Sequence, residues 1–139
     1  MQTAGYSGTP LAKKLGIRNG FRIRVVNHPP GYFDLFTDLP LEIKILEEKK
    51  TRKNLIHYFT KQFKELQRDI VPLRNEIEDN GMIWISWPKK ASKVPTDITE
   101  DLIRSLALSN GLVDIKVCAV DDTWSGLKLV IPVKDRKVN

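Results

Sequence analysis

The stretch Met82-Ile83-Trp84-Ile85-Ser86-Trp87 is an almost continuous apolar run near the middle of the chain. A strand with one face in water would alternate apolar and polar side chains, and this run does not alternate. Such a run is typical of a strand that is covered on both faces, as central strands of parallel sheets are. Residues 82–87 are therefore predicted to be the central strand of an α/β sheet.

Two amphipathic segments flank this strand. The first is predicted to begin at Thr60 and to end at Asn80-Gly81, with Pro72 kinking the helix or dividing it in two. The second is predicted to start within Pro95-Thr96-Asp97-Ile98-Thr99-Glu100 and to stop at Asn110-Gly111. The apolar positions that define the buried helix faces are Phe63, Leu66, Ile70, Leu73 and Ile77 in the first helix and Ile98, Leu102, Ile103 and Leu106 in the second.

The remaining segments predict a short helix and the other strands. The helix runs from Pro10 to Leu15, with Thr9 as its cap. The order of strand, strand, strand, helix, strand, helix, strand, strand predicts a three-layer α/β fold with a mainly parallel six-stranded sheet. The last two strands are expected to form a C-terminal antiparallel hairpin around residues 121–126. Besides residues 82–87, the predicted strands are Phe21–Val26, Leu41–Ile45, Leu55–Phe59, Leu112–Val120 and Leu127–Val133.

Composition supports one globular domain. The chain has 139 residues, 41% hydrophobic and 29% charged, which suits a single domain over residues 1–139 with flexible ends at 1–8 and 134–139. No apolar run approaches the roughly 18 residues of a membrane span, and the first residues lack the apolar segment of a signal peptide. A cytoplasmic location without membrane association is expected. The sequence does not indicate which oligomeric state the protein has. The single cysteine, Cys118, lies in an apolar alternation and is expected to be buried.

The charge of the chain favours anionic partners. The net charge is +6 and the pI is about 9.5. Much of the excess lies in the run of residues 49–53 and in the C-terminal tail, where solvated loops are the usual interpretation. A base-stacking surface would interleave aromatic and basic residues, and no such pattern is present. Nucleic-acid binding is therefore the weaker alternative to a small or anionic ligand.

Residue types that carry catalysis or bind metals are sparse. His28, His57 and Cys118 have no metal-ligand spacing, so no metal site is predicted. Neither a nucleophile elbow nor a phosphate-binding loop is present, and no catalytic residue is assigned. His57 lies within a predicted strand and is expected to be a hydrogen-bonded core residue, whereas His28 lies in a loop.

Three predicted loops follow strand ends, at residues 27–33, 86–96 and 121–126. If the strands are parallel, these loops share the edge of the sheet at which open α/β sheets bind ligands. Lysines, carboxylates and indoles gathered there indicate an anionic ligand with a flat or apolar part. Structural alternatives stay open: solvated lysines, aspartates that shape a turn, and tryptophans that pack over the core. The candidate ligand-binding residues are His28, Tyr32, Trp87, Lys89, Lys90, Ser92, Asp121, Asp122 and Trp124.

Two motifs carry a family resemblance. The stretches Ser86-Trp87-Pro88-Lys89-Lys90-Ala91-Ser92 and Asp121-Asp122-Thr123-Trp124-Ser125-Gly126-Leu127-Lys128, together with residues 7–16, resemble an uncharacterised bacterial family classified as a domain of unknown function. That resemblance covers nearly the whole chain and implies no catalytic residues. More distantly, the second half of the chain resembles a class I S-adenosylmethionine-dependent methyltransferase, which implies a Rossmann-like, methyltransferase-like fold.

The first half departs from the methyltransferase pattern. Such enzymes have a glycine-rich turn after the first strand and an acidic residue after the second. Here the first strand leads into Asn27-His28-Pro29-Pro30-Gly31-Tyr32, and Glu47 and Glu48 are the candidates for the acid. Prolines where the cofactor approaches the backbone argue against binding, so no cofactor is predicted. The chain is expected to be a small-ligand or partner-binding domain, with an atypical methyltransferase-like enzyme and a basic nucleic-acid module as alternatives.

Overall fold

The computed structural model describes residues 8–137 of the chain. Short 3-10 turns lie at residues 32–35, 90–92 and 133–135. In chain order the elements are α1 (Leu11–Leu15), β1 (Arg22–Val26), β2 (Lys44–Ile45), β3 (Lys53–Phe59), α2 (Phe63–Glu76), β4 (Ile77–Pro88), α3 (Glu100–Ser109), β5 (Val113–Ala119) and β6 (Trp124–Val130).

The six strands form one sheet in the order β2-β1-β3-β4-β6-β5. Strands β2, β1, β3 and β4 are parallel, and β6 is antiparallel to both β4 and β5. Strand β4 therefore lies in the interior of the sheet, and its residues Ile83, Trp84 and Ile85 are 0% exposed. The predicted central strand, the mainly parallel sheet and the C-terminal antiparallel hairpin are confirmed.

Each face of the sheet is covered by its own apolar cluster. On one face, α2 and α3 pack on alternate residues of β3, β4 and β6, including Tyr58, Ile83 and Leu127. On the other face, α1 and the segment after β1 pack on the intervening residues, including Phe59 and Trp84. The Trp84 indole N–H donates to the carbonyl of Leu15 at 2.9 Å, which fixes α1 to the sheet. This arrangement is the predicted three-layer fold.

The boundary between α2 and β4 differs from the prediction. Helix α2 continues through Pro72 and ends at Glu76, and Ile77 is already the first residue of β4. Asn80-Gly81, predicted to end the helix, lies instead at an irregularity within β4. The register between β4 and β3 shifts there, between the pairs that involve Ile77 and Met82. A Cβ on Gly81 would lie 3.0 Å from two backbone oxygens, so the close approach of backbone at this bulge favours glycine, which does not end a helix here.

The first residues of α1 and α3 are determined by side-chain oxygens that accept hydrogen bonds from backbone N–H groups of the first helical turn. Helix α3 begins at Glu100, the last residue of the segment predicted to contain its start, because the Thr99 hydroxyl accepts from the backbone N–H of Leu102 at 3.2 Å. Its buried residues are Ile103 and Ala107, whereas Leu102, predicted to be buried, is 40% exposed. Helix α1 begins at Leu11 with Pro10 at the cap position. The predicted capping role of Thr9 belongs instead to Asp38, whose carboxylate accepts from the N–H groups of residues 12 and 13 at 3.1 and 3.0 Å.

Strand lengths also differ from the prediction. Strand β2 consists of Lys44–Ile45 alone, and β6 begins at Trp124 instead of Leu127. The early start follows from the pairing of β6 with β4, which extends to the pair of Pro88 and Trp124. Residues 124–126, predicted to be loop, are therefore strand.

The basic run at residues 49–53 is not entirely solvated. The Lys53 side chain is 0% exposed, and its ammonium group lies 3.2 Å from carboxylate oxygens of both Glu48 and Glu76. Glu76 also binds Arg24 through two bonds of 2.7 Å. The group Arg24, Lys53 and Glu76, called here the ion cluster, thus connects β1, β3 and α2 beneath the surface.

Other expectations concern single residues and the chain ends. Cys118 is half-buried, and burial raises the pKa of its thiol. Most of the end segments predicted to be flexible lies outside the described residues. In the described part of the C-terminal segment, the Arg136 side chain donates to the carbonyl of Ile131 at 2.9 Å, and the N–H of Lys137 donates to Asp79 at 2.8 Å. Among residues 8–137, no helix has the length and hydrophobicity that crossing a bilayer requires.

Candidate functional site

The three predicted loops meet at one edge of the sheet. Strands β1 and β4 are parallel through β3, and β5 runs in the same direction because both β4 and β5 are antiparallel to β6. The loops after these strands therefore lie at their shared carboxyl edge. The backbone N–H of Lys89 donates to the carbonyl of Thr123 at 2.7 Å, which joins the loop after β4 to the hairpin loop.

A cleft of about 380 Å³ opens at this edge between the end of β4 and the start of α3. We call it the β4 cleft. Its apolar surface comes from Trp87, Pro88 and Ile98, while Lys89 and Lys90 supply two positive charges. The carboxylate of Glu100 also lines it and forms an ion pair with Arg104. The remaining lining residues are Thr96, Thr99 and Ser125.

The loop that builds the cleft is fixed by its own hydrogen bonds. The Ser92 hydroxyl donates to the carbonyl of Lys89 at 2.6 Å and accepts from the N–H of Val94 at 3.2 Å. The Thr96 hydroxyl donates to the carbonyl of Lys61 at 2.7 Å, which anchors the loop to the segment before α2. Ser92 therefore shapes the loop that carries the two lysines and does not line the β4 cleft itself.

The two candidate indoles lie on opposite faces of the sheet. Trp124 pairs with Pro88 across the strands, so its side chain shares a face with Pro88 and not with Trp87. Trp87 is 7% exposed in the cluster under α3, and Trp124 is 8% exposed in the cluster under α1. The Trp124 ring packs edge-on against Phe59, with centroids 5.1 Å apart. The loops of the two indoles are therefore adjacent, but only Trp87 lines the β4 cleft.

The adjacent aspartates have different positions. One carboxylate oxygen of Asp121 accepts from the N–H groups of Thr123 and Trp124 at 2.8 and 2.7 Å, which is the turn role. Asp121 and Asp122 line a separate pocket of about 390 Å³ beside the start of α1. They do not line the β4 cleft.

The two histidines lie in different environments, since His57 is buried and His28 is exposed. Tyr32 is 2% exposed and shares a hydrogen bond of 2.8 Å with Nδ1 of His57, whose Nε2 is 2.8 Å from the Ser86 hydroxyl. His57 is therefore the satisfied core residue that its strand position predicted. His28 is exposed, and its ring lies 5.5 Å from those of Tyr32 and Phe33. No local pattern indicates the hydrogen bonds of Tyr32 and Ser86, because their shared partner His57 lies 25 and 29 residues away along the chain.

The burial of His57 has a measurable effect on stability. Burial lowers the pKa of His57 from 6.5 to about 3. The unfolded chain takes up this proton near pH 6.5 and the folded chain only near pH 3, so folding stability decreases as the pH falls between these values, by about 1.4 kcal/mol per unit. In urea unfolding between about pH 7 and pH 5, His57→Gln should flatten this loss, while exposed His28→Gln should leave it unchanged. If stability fell equally steeply with pH in the unmodified chain, His57→Gln and His28→Gln, the loss would not arise from the burial of His57.

The loop after β1 is irregular and carries a buried aromatic residue, Tyr32. Asn27 and Gly31 have positive φ values of 56° and 77°, and between them the chain contains two prolines. Tyr32 then enters the core, with its ring centroid 5.3 Å from that of Phe36 and 5.5 Å from that of Phe59. Aromatic rings therefore cover the ends of β1 and β3.

Of the two candidate acidic residues after β2, Glu48 is already hydrogen-bonded. Glu48 accepts hydrogen bonds from the hydroxyl and the N–H of Thr51 at 2.6 and 3.0 Å, which hold the pKa of Glu48 below its usual range. Glu47 is exposed. Within residues 8–137, no cluster of three or more His, Cys, Asp or Glu side chains has the geometry to hold a metal ion.

A groove of about 370 Å³ between β1 and α2 was not predicted. The ion-cluster residues Arg24 and Glu76 line it, as does Tyr58, whose hydroxyl donates to Asp69 at 2.7 Å. The acidic groups in this groove already bind Arg24, Arg68 and Tyr58. Its polar groups thus pair with one another, whereas the lysines of the β4 cleft are in no ion pair of the described part of the chain.

Solved structures of methyltransferases share this fold. The magnesium protoporphyrin IX methyltransferase of Synechocystis PCC 6803 with bound SAH has a TM-score of 0.57 and 10% identity, over 81% of this chain and 74% of that one. A SAM-dependent methyltransferase from Aquifex aeolicus has a TM-score of 0.60 and 12% identity, over 86% and 87%. The glycopeptide N-methyltransferase MtfA complexed with sinefungin has a TM-score of 0.55 and 10% identity, over 87% and 83%. Identities this low show the fold alone.

Sequence comparison identifies the family. No curated protein matches the chain. The model of a family described as "Protein of unknown function (DUF3052)" matches residues 43–133, well over half of the chain. The chain therefore belongs to the DUF3052 family of unknown function, and its fold is the Rossmann-like fold of class I methyltransferases.

Proposed function

We propose that this chain is a small-ligand-binding domain whose β4 cleft takes an anionic ligand with an apolar part, and that it does not use S-adenosylmethionine. The observation that carries the proposal is the cleft itself, in which Trp87, Pro88 and Ile98 adjoin Lys89 and Lys90. Binding sites of small molecules are typically concave, mostly apolar and oriented by a few polar groups.

The charge distribution of the cleft supports an anion. Lys89 is half-buried and Lys90 is exposed, so their ammonium groups are accessible to a ligand. The amino end of α3 adds the positive end of a helix dipole. The carboxylate of Glu100 opposes these charges only weakly, because it is paired with Arg104.

The loop after β1 supports the second part of the proposal. In the methyltransferase fold the cofactor approaches backbone that has no side chains, and here Tyr32 and its aromatic neighbours cover the corresponding strand ends. The acidic candidate Glu48 is bonded to Thr51. Both features disfavour the cofactor, so methyl transfer is not part of the proposed function.

A fluorescent anion tests the cleft directly. The probe 8-anilinonaphthalene-1-sulfonate combines one sulfonate with flat aromatic rings, and its fluorescence rises on binding. We expect saturable binding that Lys89→Ala/Lys90→Ala weakens about tenfold, because two charge-assisted contacts are lost. The control Lys50→Ala/Lys134→Ala removes two exposed lysines that do not line the cleft and should bind as the unmodified chain does.

The outcomes separate the proposal from its alternatives. Equal affinity in both double variants would show that the probe binds elsewhere and would overturn the cleft assignment. In a thermal shift assay, S-adenosylmethionine at millimolar concentration should not raise the melting temperature. Ligand at about one hundred times its dissociation constant stabilises by about 2.7 kcal/mol, so a saturable rise would favour a methyltransferase-like enzyme instead.

A further inference from the structure

Strand β5 ends the sheet, and its outer edge pairs with no strand among the described residues. It is seven residues long, and its central residues Ile115, Lys116 and Val117 are exposed. Ile115 and Val117 are 56% and 47% exposed, which is high for apolar residues in a strand. An edge of this length offers backbone groups and apolar side chains to another chain.

A groove of about 350 Å³ follows this edge on the α1 side of the sheet. The ammonium group of Lys14 donates to the carbonyl of Ala119 at 2.9 Å, and that of Lys116 donates to the carbonyl of Lys14 at 3.2 Å. Each lysine side chain thus reaches the backbone of the other element, and no carboxylate lines the groove. The lining residues are Thr9, Lys13, Lys14, Lys116, Val117, Cys118 and Ala119.

The surroundings of the groove are positive as well. Lys116 is paired with Lys128 across the strands, and Arg18 lies near Lys128. Burial, and then the charges of Lys116 and Arg18, lower the pKa of Lys128. Within residues 8–137, Lys13, Arg18, Lys116 and Lys128 form no ion pair. An anionic partner would relieve the mutual repulsion of these side chains.

We propose that the β5 edge and this lysine groove bind an extended acidic segment of a partner protein, added to the sheet as a further strand. In strand addition, backbone hydrogen bonds to the edge supply affinity and alternate side chains supply specificity. Acidic side chains of the segment would contact Lys13 and Lys116, while apolar ones would cover Val117. This surface lies beyond the β4 cleft and does not depend on the ligand proposed there.

The charges select this partner over others. A second copy of the chain paired symmetrically through β5 would bring two Lys116 side chains together, which is unfavourable. The first seven residues of the chain, which precede α1, contain no acidic residue. The groove has no aromatic lining residue on which a base could stack, so a single-stranded nucleic acid fits less well.

Fluorescence anisotropy with a synthetic peptide tests the proposal. The probe is a fluorescein-labelled peptide of about eight residues, near the length of β5, with alternating glutamate and valine. We expect saturable binding that Lys13→Glu/Lys116→Glu weakens about tenfold or more. The control Lys50→Glu/Lys134→Glu makes the same charge change outside the groove and should have a much smaller effect. Melting temperatures of all the proteins verify that each variant is folded.

Two altered probes identify the mode of binding. A peptide with the same side chains and N-methyl groups on alternate backbone nitrogens retains its charge but cannot pair as a strand, so it should bind at least about tenfold more weakly. Equal binding of this peptide, or no binding of the first, would overturn the proposal. Tighter binding of a labelled oligothymidylate would assign the groove to nucleic acid. A dimer in sedimentation that the neutral variant Lys116→Thr strengthens, by removing the repulsion between two lysines, would assign the edge to a second copy.

Discussion

Replacing Glu76 by alanine is expected to lower the free energy of unfolding by about 3–5 kcal/mol. The Glu76 side chain is 5% exposed and neutralises both Arg24, at 12%, and Lys53, at 0%. Its removal leaves two cations with little access to water, and Lys53 keeps only Glu48 as an acidic partner. An uncompensated buried charge costs far more than a surface pair contributes. Urea denaturation at neutral pH measures the change.

A matched control exists on the same segment of chain. Glu78 lies two residues further on and pairs with Arg22 at 2.6 Å, but the two side chains are 37% and 32% exposed. Glu78→Ala should therefore cost no more than about 1 kcal/mol. Glu76→Gln keeps an oxygen that accepts from Arg24 and should fall between the two alanine variants. Similar losses for Glu76→Ala and Glu78→Ala would show that the ion cluster is solvated and carries no special stability.

The architecture was predictable because its signals are local. The apolar run at residues 82–87 identifies a doubly covered strand without knowledge of its neighbours, and the alternation of helices and strands then implies a parallel sheet. The end of α2 was not predictable in this way. Ile77 continues the apolar spacing of the helix, and only its pairing with Lys53 on β3 makes it a strand residue.

The candidate site was predictable at the level of loops and not of side chains. Strand direction alone places the loops after β1, β4 and β5 at one edge. Which face each side chain takes depends on where a strand begins, since neighbours along a strand point in opposite directions. Residues 124–126 were predicted to be loop, so the pairing of Trp124 with Pro88 was not expected. That pairing directs Trp124 away from the β4 cleft. Interactions between distant residues, such as Tyr32 with His57, left no local pattern.

Trp124→Ala is expected to cost about 3–5 kcal/mol of folding stability while leaving ligand binding in the β4 cleft intact. Trp124 is 8% exposed and packs against Phe59 with ring centroids 5.1 Å apart, so truncation opens a cavity under α1. The cleft opens at the end of β4 beside Trp87 and α3, and this indole does not line it. Chemical denaturation measures the first effect, and the dissociation constant of 8-anilinonaphthalene-1-sulfonate measures the second.

A more exposed aromatic residue on the same face supplies the control for Trp124. Phe33 is 41% exposed, and its ring centroid lies 5.5 Å from that of His28 and 5.0 Å from that of Tyr32, so Phe33→Ala should cost much less. If Trp124→Ala does not fold, Trp124→Phe retains a six-membered ring against Phe59 and removes the second ring and the N–H of the indole. A variant of Trp124 that keeps its stability but no longer binds the sulfonate probe would make this indole a ligand contact. The ligand would then have to reach the α1 side of the sheet, past the pair of Pro88 and Trp124, and the β4 cleft would describe only part of the site.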